Sequence, residues 1–195
     1  MEAAKERPMR MLRKLRVATA AAVTILALLA VTPRPAGAVD SSPRSPEYLI
    51  KAAYLYNFAM FVEWPAEAFA RPDSAIVIGV VGSDPFGWAL DRTVQDKKIG
   101  KRQIVVERLQ WNQDARRCHI VFVSGSDTAR LTELATRLEG SSTLIVADSD
   151  SARQRSAISF IVKDNKVGFE INLDHANRAR LTISSKLLNI ARVVR

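Results

Sequence analysis

Three short runs of apolar, largely β-branched residues constrain the fold of this chain more than any other feature. They cover residues 75–81 (AIVIGVV), 119–123 (HIVFV) and 143–147 (TLIVA). Because polar and apolar residues hardly alternate within them, they are typical of strands that are covered on both faces of a sheet. A fourth run at 104–109 (IVVERL) predicts another strand. We therefore expect a central, mostly parallel sheet.

The segments between these runs carry turn and helix signals. Residues 82–85 (GSDP) predict a turn that leads into a helix ending near residue 94, with Ser83 or Asp84 as its cap. Residues 124–127 (SGSD) stand in the same position before a second helix. Strands that alternate with helices in this way indicate an α/β layered domain.

The C-terminal part changes pattern. Residues 157–163 and 166–173 are two strand-like runs separated by Asp164-Asn165, which predicts an antiparallel β-hairpin. In the second run, apolar residues alternate with Gly168, Glu170 and Asn172, so we expect the face that carries these three residues to be more exposed to solvent. The fold class is thus α/β: a single layered domain, mostly parallel sheet flanked by helices, with an antiparallel C-terminal hairpin.

Both ends of this domain are predicted to be helical. Ser45 is a suitable cap and Pro46 a suitable first residue for a helix that ends near residues 63–64, before Pro65. A last helix is expected from about Ser184, with Ile190 and Val194 on its buried side.

The first helix carries more large apolar residues than one buried stripe requires. Aromatic residues occupy several of its sides and recur after the first strand, at Tyr48, Tyr54, Phe58, Phe61, Trp64, Phe86 and Trp88. A helix that is apolar nearly all round is either buried on several faces or used for binding. Core packing and a protein-binding face both remain open. For the second, the predicted contact residues are Asn57, Phe58, Phe61 and Trp64.

The N-terminus is predicted to be a signal peptide. A basic segment over residues 1–16 precedes 15 uncharged residues at 17–31, and Ala36-Gly37-Ala38 follows as a small-residue cleavage site. A membrane anchor is the weaker alternative, because a spanning helix needs about 20 apolar residues. We expect a signal peptide over 1–38, a flexible leader over 39–45 and the α/β domain over 46–195. Cleavage lowers the net charge from +9 to +4, which gives little support for nucleic-acid binding.

Catalytic and metal-binding signals are weak. The two histidines, His119 and His175, have no ligand-type residue at helical spacing, and a hydrogen-bonded core histidine is favoured for His119. Cys118 is the single cysteine, and its neighbour His119 should point to the opposite side of a strand. We therefore expect no enzyme, no metal and no cofactor; a secreted hydrolase would have to use Glu170 or His119.

The loop after the first strand resembles an anion-binding turn but matches neither phosphate-loop pattern. Turn and cap chemistry is the favoured explanation of these residues. The alternative is a small-ligand rim, because ligands in such sheets bind beyond the carboxyl ends of strands. The residues of this predicted rim are Gly82, Ser83, Asp84, Phe86 and Trp88.

Four segments together resemble the YfiR family of exported proteins. They are KAAYLYNFAMFVEWP at residues 51–65, IGVVGSDPFG at 78–87, CHIVFV at 118–123 and VGFEINLDHANRARLTISSKLL at 167–188. The combination of the aromatic helix end with the C-terminal segment is the most specific part. The matching segments span nearly the whole chain after the predicted cleavage site.

This resemblance implies a periplasmic regulator without catalytic residues. YfiR-like proteins repress an inner-membrane diguanylate cyclase by binding its periplasmic sensor domain, and an outer-membrane lipoprotein relieves the repression. The expected consequence is lower cyclic di-GMP and less biofilm, and the expected oligomer is a homodimer. An intramolecular redox switch is excluded, because Cys118 is the only cysteine. The alternative function is a periplasmic small-ligand-binding module.

Overall fold

The structure, a computed structural model, describes residues 43–194. The predicted signal peptide over 1–38 and residues 39–42 of the predicted leader lie outside the described residues. No helix within 43–194 is long and apolar enough to cross a membrane.

Helices and strands alternate through most of the described chain. The helices are α1 (Glu47–Phe61), α2 (Trp88–Val94), α3 (Leu131–Arg137), α4 (Leu173–Arg178) and α5 (Ser185–Leu188). The strands are β1 (Val62–Glu63), β2 (Ile76–Val81), β3 (Lys98–Ile99), β4 (Arg102–Leu109), β5 (Ile120–Val123), β6 (Leu144–Ala147), β7 (Ile158–Lys163), β8 (Lys166–Asn172), β9 (Thr182–Ile183) and β10 (Arg192–Val194).

Eight of these strands form one sheet in the order β10-β8-β7-β6-β5-β2-β4-β3. The pairs at its centre are parallel, whereas β7 with β8 and β3 with β4 are antiparallel. This confirms the predicted α/β fold class with a mostly parallel sheet. From β2 the chain moves outward to β4, then returns to the other side of β2 at β5. The carboxyl ends of β2 and β5 therefore flank a topological switch point.

Both faces of the central sheet are covered, as the unbroken apolar runs predict. Strand β5 shows this directly: Ile120 and Phe122 join a core cluster under α1 and α2. Val121 and Val123 join a second cluster on the other face, with Leu131 and Leu134 of α3.

Three predicted helix ends are wrong by one to three residues. Helix α1 has Pro46 as its N-cap and no side-chain cap, so Ser45 does not cap it. It ends at Phe61 because Val62 turns extended and pairs with Ile183. Helix α2 begins at Trp88 with Gly87 as its N-cap, so neither Ser83 nor Asp84 caps it.

The predicted C-terminal hairpin is confirmed. Asp164 and Asn165 have φ angles of 50° and 60°, the left-handed pair that a tight two-residue turn requires. The prediction that one face of the second strand is more exposed to solvent is wrong at Glu170, which is buried. Its carboxylate lies 2.6 Å from Nε of Arg153 and 3.1 Å from Nη1 of Arg192.

The predicted last helix is too long. The side chain of Ser184 caps α5 by accepting the N–H of Lys186, but the helix ends at Leu188. Residues 192–194 instead form β10 beside β8, and Ile190 is exposed. The apolar spacing that predicted a longer helix therefore belongs to a helix followed by a strand.

Candidate functional site

A buried ion pair attaches α1 to the sheet. Lys51 is 1% exposed, and its Nζ lies 2.5 Å from Oδ1 of Asp148 and 2.8 Å from Oε1 of Glu47. The hydroxyl of Tyr48 donates to Oδ2 of Asp148 at 2.7 Å. Burial and this hydrogen bond raise the pKa of Tyr48. Because Asp148 directly follows β6, these contacts hold the first half of α1 at the carboxyl end of the sheet.

The inner face of α1 is an aromatic cluster within the core. The Phe58 ring centroid lies 5.0 Å from that of Phe169 and 5.8 Å from that of Phe160. Tyr54 stacks against Phe58 at 6.1 Å. Phe58 is fully buried, so a partner cannot reach it. Its predicted place in the contact face is therefore corrected: it is a core residue.

The outer face of α1 is apolar as well, although it is open to solvent. Leu49, Ile50 and Met60 are 43%, 49% and 39% exposed. The only charged residues of the helix, Glu47 and Lys51, are paired with each other. We define the outer face of α1 as Leu49, Ile50, Ala53, Tyr56, Asn57 and Met60, all exposed or partly exposed. A surface helix normally places polar residues there, so this face is unusual.

The other predicted contact residues are all partly exposed. Asn57 belongs to the outer face of α1. Phe61 and Trp64, at and beyond the C-terminal end of α1, are half-buried against the core. The indole Nε1 of Trp64 donates to the backbone carbonyl of His119 at 3.2 Å, which fixes that ring. Partner binding by Asn57, Phe61 and Trp64 stays a prediction.

His119 is the hydrogen-bonded core residue that the sequence favours. Its Nδ1 accepts the N–H of Val77 at 3.1 Å, and its ring stacks on Phe69 with centroids 4.5 Å apart. Burial lowers the pKa of His119 to about 4. Cys118 lies in the core cluster on the other face of the sheet, where burial raises the pKa of its thiol to about 12.

The second histidine also contacts a hydrogen-bonding group of the fold. His175 Nε2 faces the carbonyl of Gln154 at 2.5 Å. Across residues 43–194 there is no cluster of three His, Cys, Asp or Glu side chains that could hold a metal ion.

The predicted ligand rim lies at the switch point, but the N–H groups of Gly82 and Ser83 already have partners. The N–H of Ser83 donates to Oδ2 of Asp127 at 2.9 Å. Burial opposes ionisation of Asp127, yet its hydrogen bonds with Ser83 and Ser124 leave its pKa lowered. A side chain at Gly82 would meet the Trp111 indole nitrogen at 2.5 Å. The carboxylate of Asp127 thus takes the hydrogen bond that the N–H of Ser83 would otherwise offer to an anion.

The rest of the rim is similarly engaged. Asp84 accepts the N–H of Phe86 at 2.7 Å and pairs with Nε of Arg108 at 2.9 Å, so it shapes a turn rather than capping α2. Phe86 is fully buried, whereas Trp88 is 42% exposed. Ligand binding at this rim stays a prediction, and Trp88 is its most accessible member.

Comparison with known proteins identifies the family. A family model described as YfiR/HmsC-like matches residues 48–192. The chain belongs to the YfiR/HmsC-like family. This confirms the resemblance seen in the sequence. The matched residues include all of α1 except Glu47 and all strands of the large sheet up to the first residue of β10. It is a regulatory family, associated with periplasmic control of membrane diguanylate cyclases.

The other comparisons add little. A crystal structure of a conserved domain protein from Vibrio cholerae O1 biovar El Tor is similar at 12% sequence identity and a TM-score of 0.45. The similarity covers 62% of this chain and 55% of the Vibrio chain. A search of curated proteins finds no match.

Proposed function

We propose that this protein is an exported, non-enzymatic regulator that binds the periplasmic part of an inner-membrane diguanylate cyclase. Binding represses the cyclase and so lowers cyclic di-GMP and biofilm formation. Family membership supports the regulatory role and the type of partner. The same proposal includes two further partners. One is a second copy of this chain, in a homodimer, and the other is an outer-membrane lipoprotein that relieves the repression.

The outer face of α1 is the observation that carries this proposal. Leu49, Ile50 and Met60 leave apolar area in water, and no charged side chain interrupts it. Contiguous exposed apolar surface on a folded domain marks an interaction site. On the inner side of α1, Phe58 and the Lys51–Asp148 pair anchor the helix to the core, so that binding costs little conformational entropy.

Repression then follows from differential affinity. The regulator represses only if it binds the inactive arrangement of the cyclase more tightly than the active one. In this mechanism, the outer face of α1 provides the contact and no residue of the chain reacts. The signal that releases the cyclase weakens this contact or competes for it.

The test is to make the outer face polar. Leu49→Glu with Ile50→Glu is expected to abolish capture of the purified periplasmic domain of the cyclase while the fold is retained. Val162→Glu, an exposed valine on β7, is the matched control and should bind normally. Full binding by the double variant, with the fold intact by circular dichroism, would refute the contact.

A small-ligand-binding module remains the second candidate, because a cavity of about 390 Å³ lies between the C-terminal end of α3 and α4. Its lining includes Leu138, Thr143, His175 and Arg178. Its volume lies within the usual range for ligand pockets, roughly 300–1,000 Å³. Thermal-shift measurements against amino acids and small aromatic acids test it: a ligand whose effect is lost in Arg178→Ala would favour this function.

A further inference from the structure

Strand β4 has a free edge over most of its length. On one side it pairs with β2 from Ile104 to Leu109. On the other side it pairs with β3, but only at Arg102 and Gln103. Within the described part of the chain, no strand covers the outer side of residues 104–109.

The direction of the backbone groups identifies which residues face outward. The carbonyl of Leu109 accepts the N–H of Gly82, so Leu109 faces the β2 side. Alternation along a strand then places the backbone groups of Glu107 and Val105 on that side as well, and those of Val106 and Arg108 on the outer side. The outer edge therefore presents unpaired donors and acceptors, which form a template for another strand.

A groove runs beside this edge. It has a volume of about 680 Å³ and lies between α2 and β4, with Trp88, Arg92, Val94 and Val106 among its lining residues. The Trp88 side chain is 42% exposed, and the Arg92 guanidinium lies 5.6 Å from its ring centroid. An extended segment paired to β4 could place alternate side chains in this groove.

The rim of the groove is basic. Arg92 lines the groove, and the exposed lysines Lys97, Lys98 and Lys101 lie in and beside β3, which pairs with the first residues of β4. None of these four cations forms an ion pair within residues 43–194. The acidic side chain of Asp91 is already bound by Arg108, at 2.7 Å from Nη1. Asp96 is the single acidic residue within positions 92–101. This surface is complementary to an acidic segment.

We propose that the outer edge of β4 and its groove bind an extended, acidic segment of a partner protein by adding it as a strand. Backbone hydrogen bonds to Val106 and Arg108 give the pairing, Trp88 receives an apolar side chain, and the basic rim selects acidic neighbours. This surface shares no residue with the outer face of α1. The proposal therefore does not depend on the proposed function.

The test uses a blocked peptide of about ten residues that alternates glutamate and valine, with fluorescence anisotropy as readout. We expect saturable binding below about 1 mM and a loss of about tenfold or more when every second residue is N-methylated, in at least one of the two registers. The lysine–valine counterpart should not bind. Hydrogen exchange at Val106 and Arg108 should slow on adding the acidic peptide.

Variants distinguish binding at the strand edge from nonspecific attraction by positive charge. Val106→Pro removes an outward N–H without removing a bond to β2, and should weaken binding about tenfold. Trp88→Ser should weaken it comparably, and keeps the test valid if the proline variant does not fold. Lys98→Glu with Lys101→Glu should weaken binding, whereas the matched pair Lys163→Glu with Lys166→Glu, exposed on the β7–β8 hairpin, should not.

Four results would overturn the proposal: no binding of the acidic peptide at about 1 mM, undiminished binding of both N-methylated forms, equal weakening by the hairpin pair, or a dimer that disappears in Val106→Pro. The last result would assign the edge to a second copy of this chain instead.

Discussion

The ammonium group of Lys51 lies 2.5 Å from Oδ1 of Asp148, although the two residues are 97 positions apart. Both side chains are nearly inaccessible, at 2% and 9% exposure. Withdrawing two charges from water is costly, and here Tyr48 and Glu47 complete their hydrogen bonding. The consequence is a first helix fixed at the carboxyl end of the sheet with its apolar outer face in solvent.

Lys51→Ala is expected to destabilise the fold by about 3–5 kcal/mol, because it leaves the buried Asp148 carboxylate without its cation. Urea unfolding measures this loss. Lys163→Ala, an exposed lysine on β7, is the control and should change the free energy of unfolding by less than about 0.5 kcal/mol. Equal effects of the two substitutions would show that the ion pair does not stabilise the position of α1.

Phe58→Ala should cost about 3–5 kcal/mol in the free energy of unfolding, because it removes a fully buried ring packed on Phe160 and Phe169. Met60→Ala, two positions further on the exposed side, should cost less than about 1 kcal/mol. Chemical denaturation of both variants tests whether Phe58 lies on the buried inner face of α1 and Met60 on its exposed outer face. A reversed order would place Phe58 at the surface.

The buried His119 should make stability depend on pH. Its pKa is about 4 in the fold against 6.5 ordinarily, so between these values the unfolded chain binds a proton that the folded chain does not. Its contribution is complete above pH 6.5 and is lost as the pH falls toward 4. The expected loss from about pH 7 to pH 5 is about 2 kcal/mol.

The His119→Gln variant isolates this contribution, since the carboxylates titrate in both proteins. Denaturant unfolding at several pH values should give a shallower decline for the variant. Parallel declines in the two proteins would mean that His119 is not held neutral.

Cys118 should be unreactive in the folded protein, because burial, with the nearby charge of Glu107, raises the pKa of its thiol to about 12. Iodoacetamide at about pH 8 should leave it unmodified by mass spectrometry and alkylate it after unfolding in guanidinium chloride. Ser151→Cys adds an exposed thiol as an internal positive control and should be alkylated in the folded state. Rapid modification of native Cys118 would show that this part of the core opens readily.

The strands could be predicted because the sheet is covered on both faces, which leaves unbroken apolar runs at 75–81 and 119–123. The hairpin followed from Asp164-Asn165, whose turn geometry is a local property. The C-terminal end was predicted wrongly, because residues 192–194 form a strand only by pairing with β8. That pairing leaves no local signal.

The site was harder to predict, since a helix that is apolar all round does not indicate which face is buried. The aromatic ring of Phe58 is compatible with core packing and with a contact face; the structure buries it, whereas Leu49 and Ile50 hold the exposed positions. A lone lysine in the apolar sequence of α1 and an aspartate just after a buried strand were the available signals for Lys51 and Asp148. Their contact depends on the tertiary fold.

The most direct test of the proposed regulator measures cellular cyclic di-GMP in a strain that lacks this gene. Complementation would use four forms: the full chain, a form without residues 1–38, Leu49→Glu with Ile50→Glu, and the Val162→Glu control. We predict that loss of the gene raises cyclic di-GMP, and that only the full chain and the control restore the parent level. An unchanged level in the deletion strain under several growth conditions would contradict repression of a cyclase. Full restoration by the double variant would contradict the role of the outer face of α1.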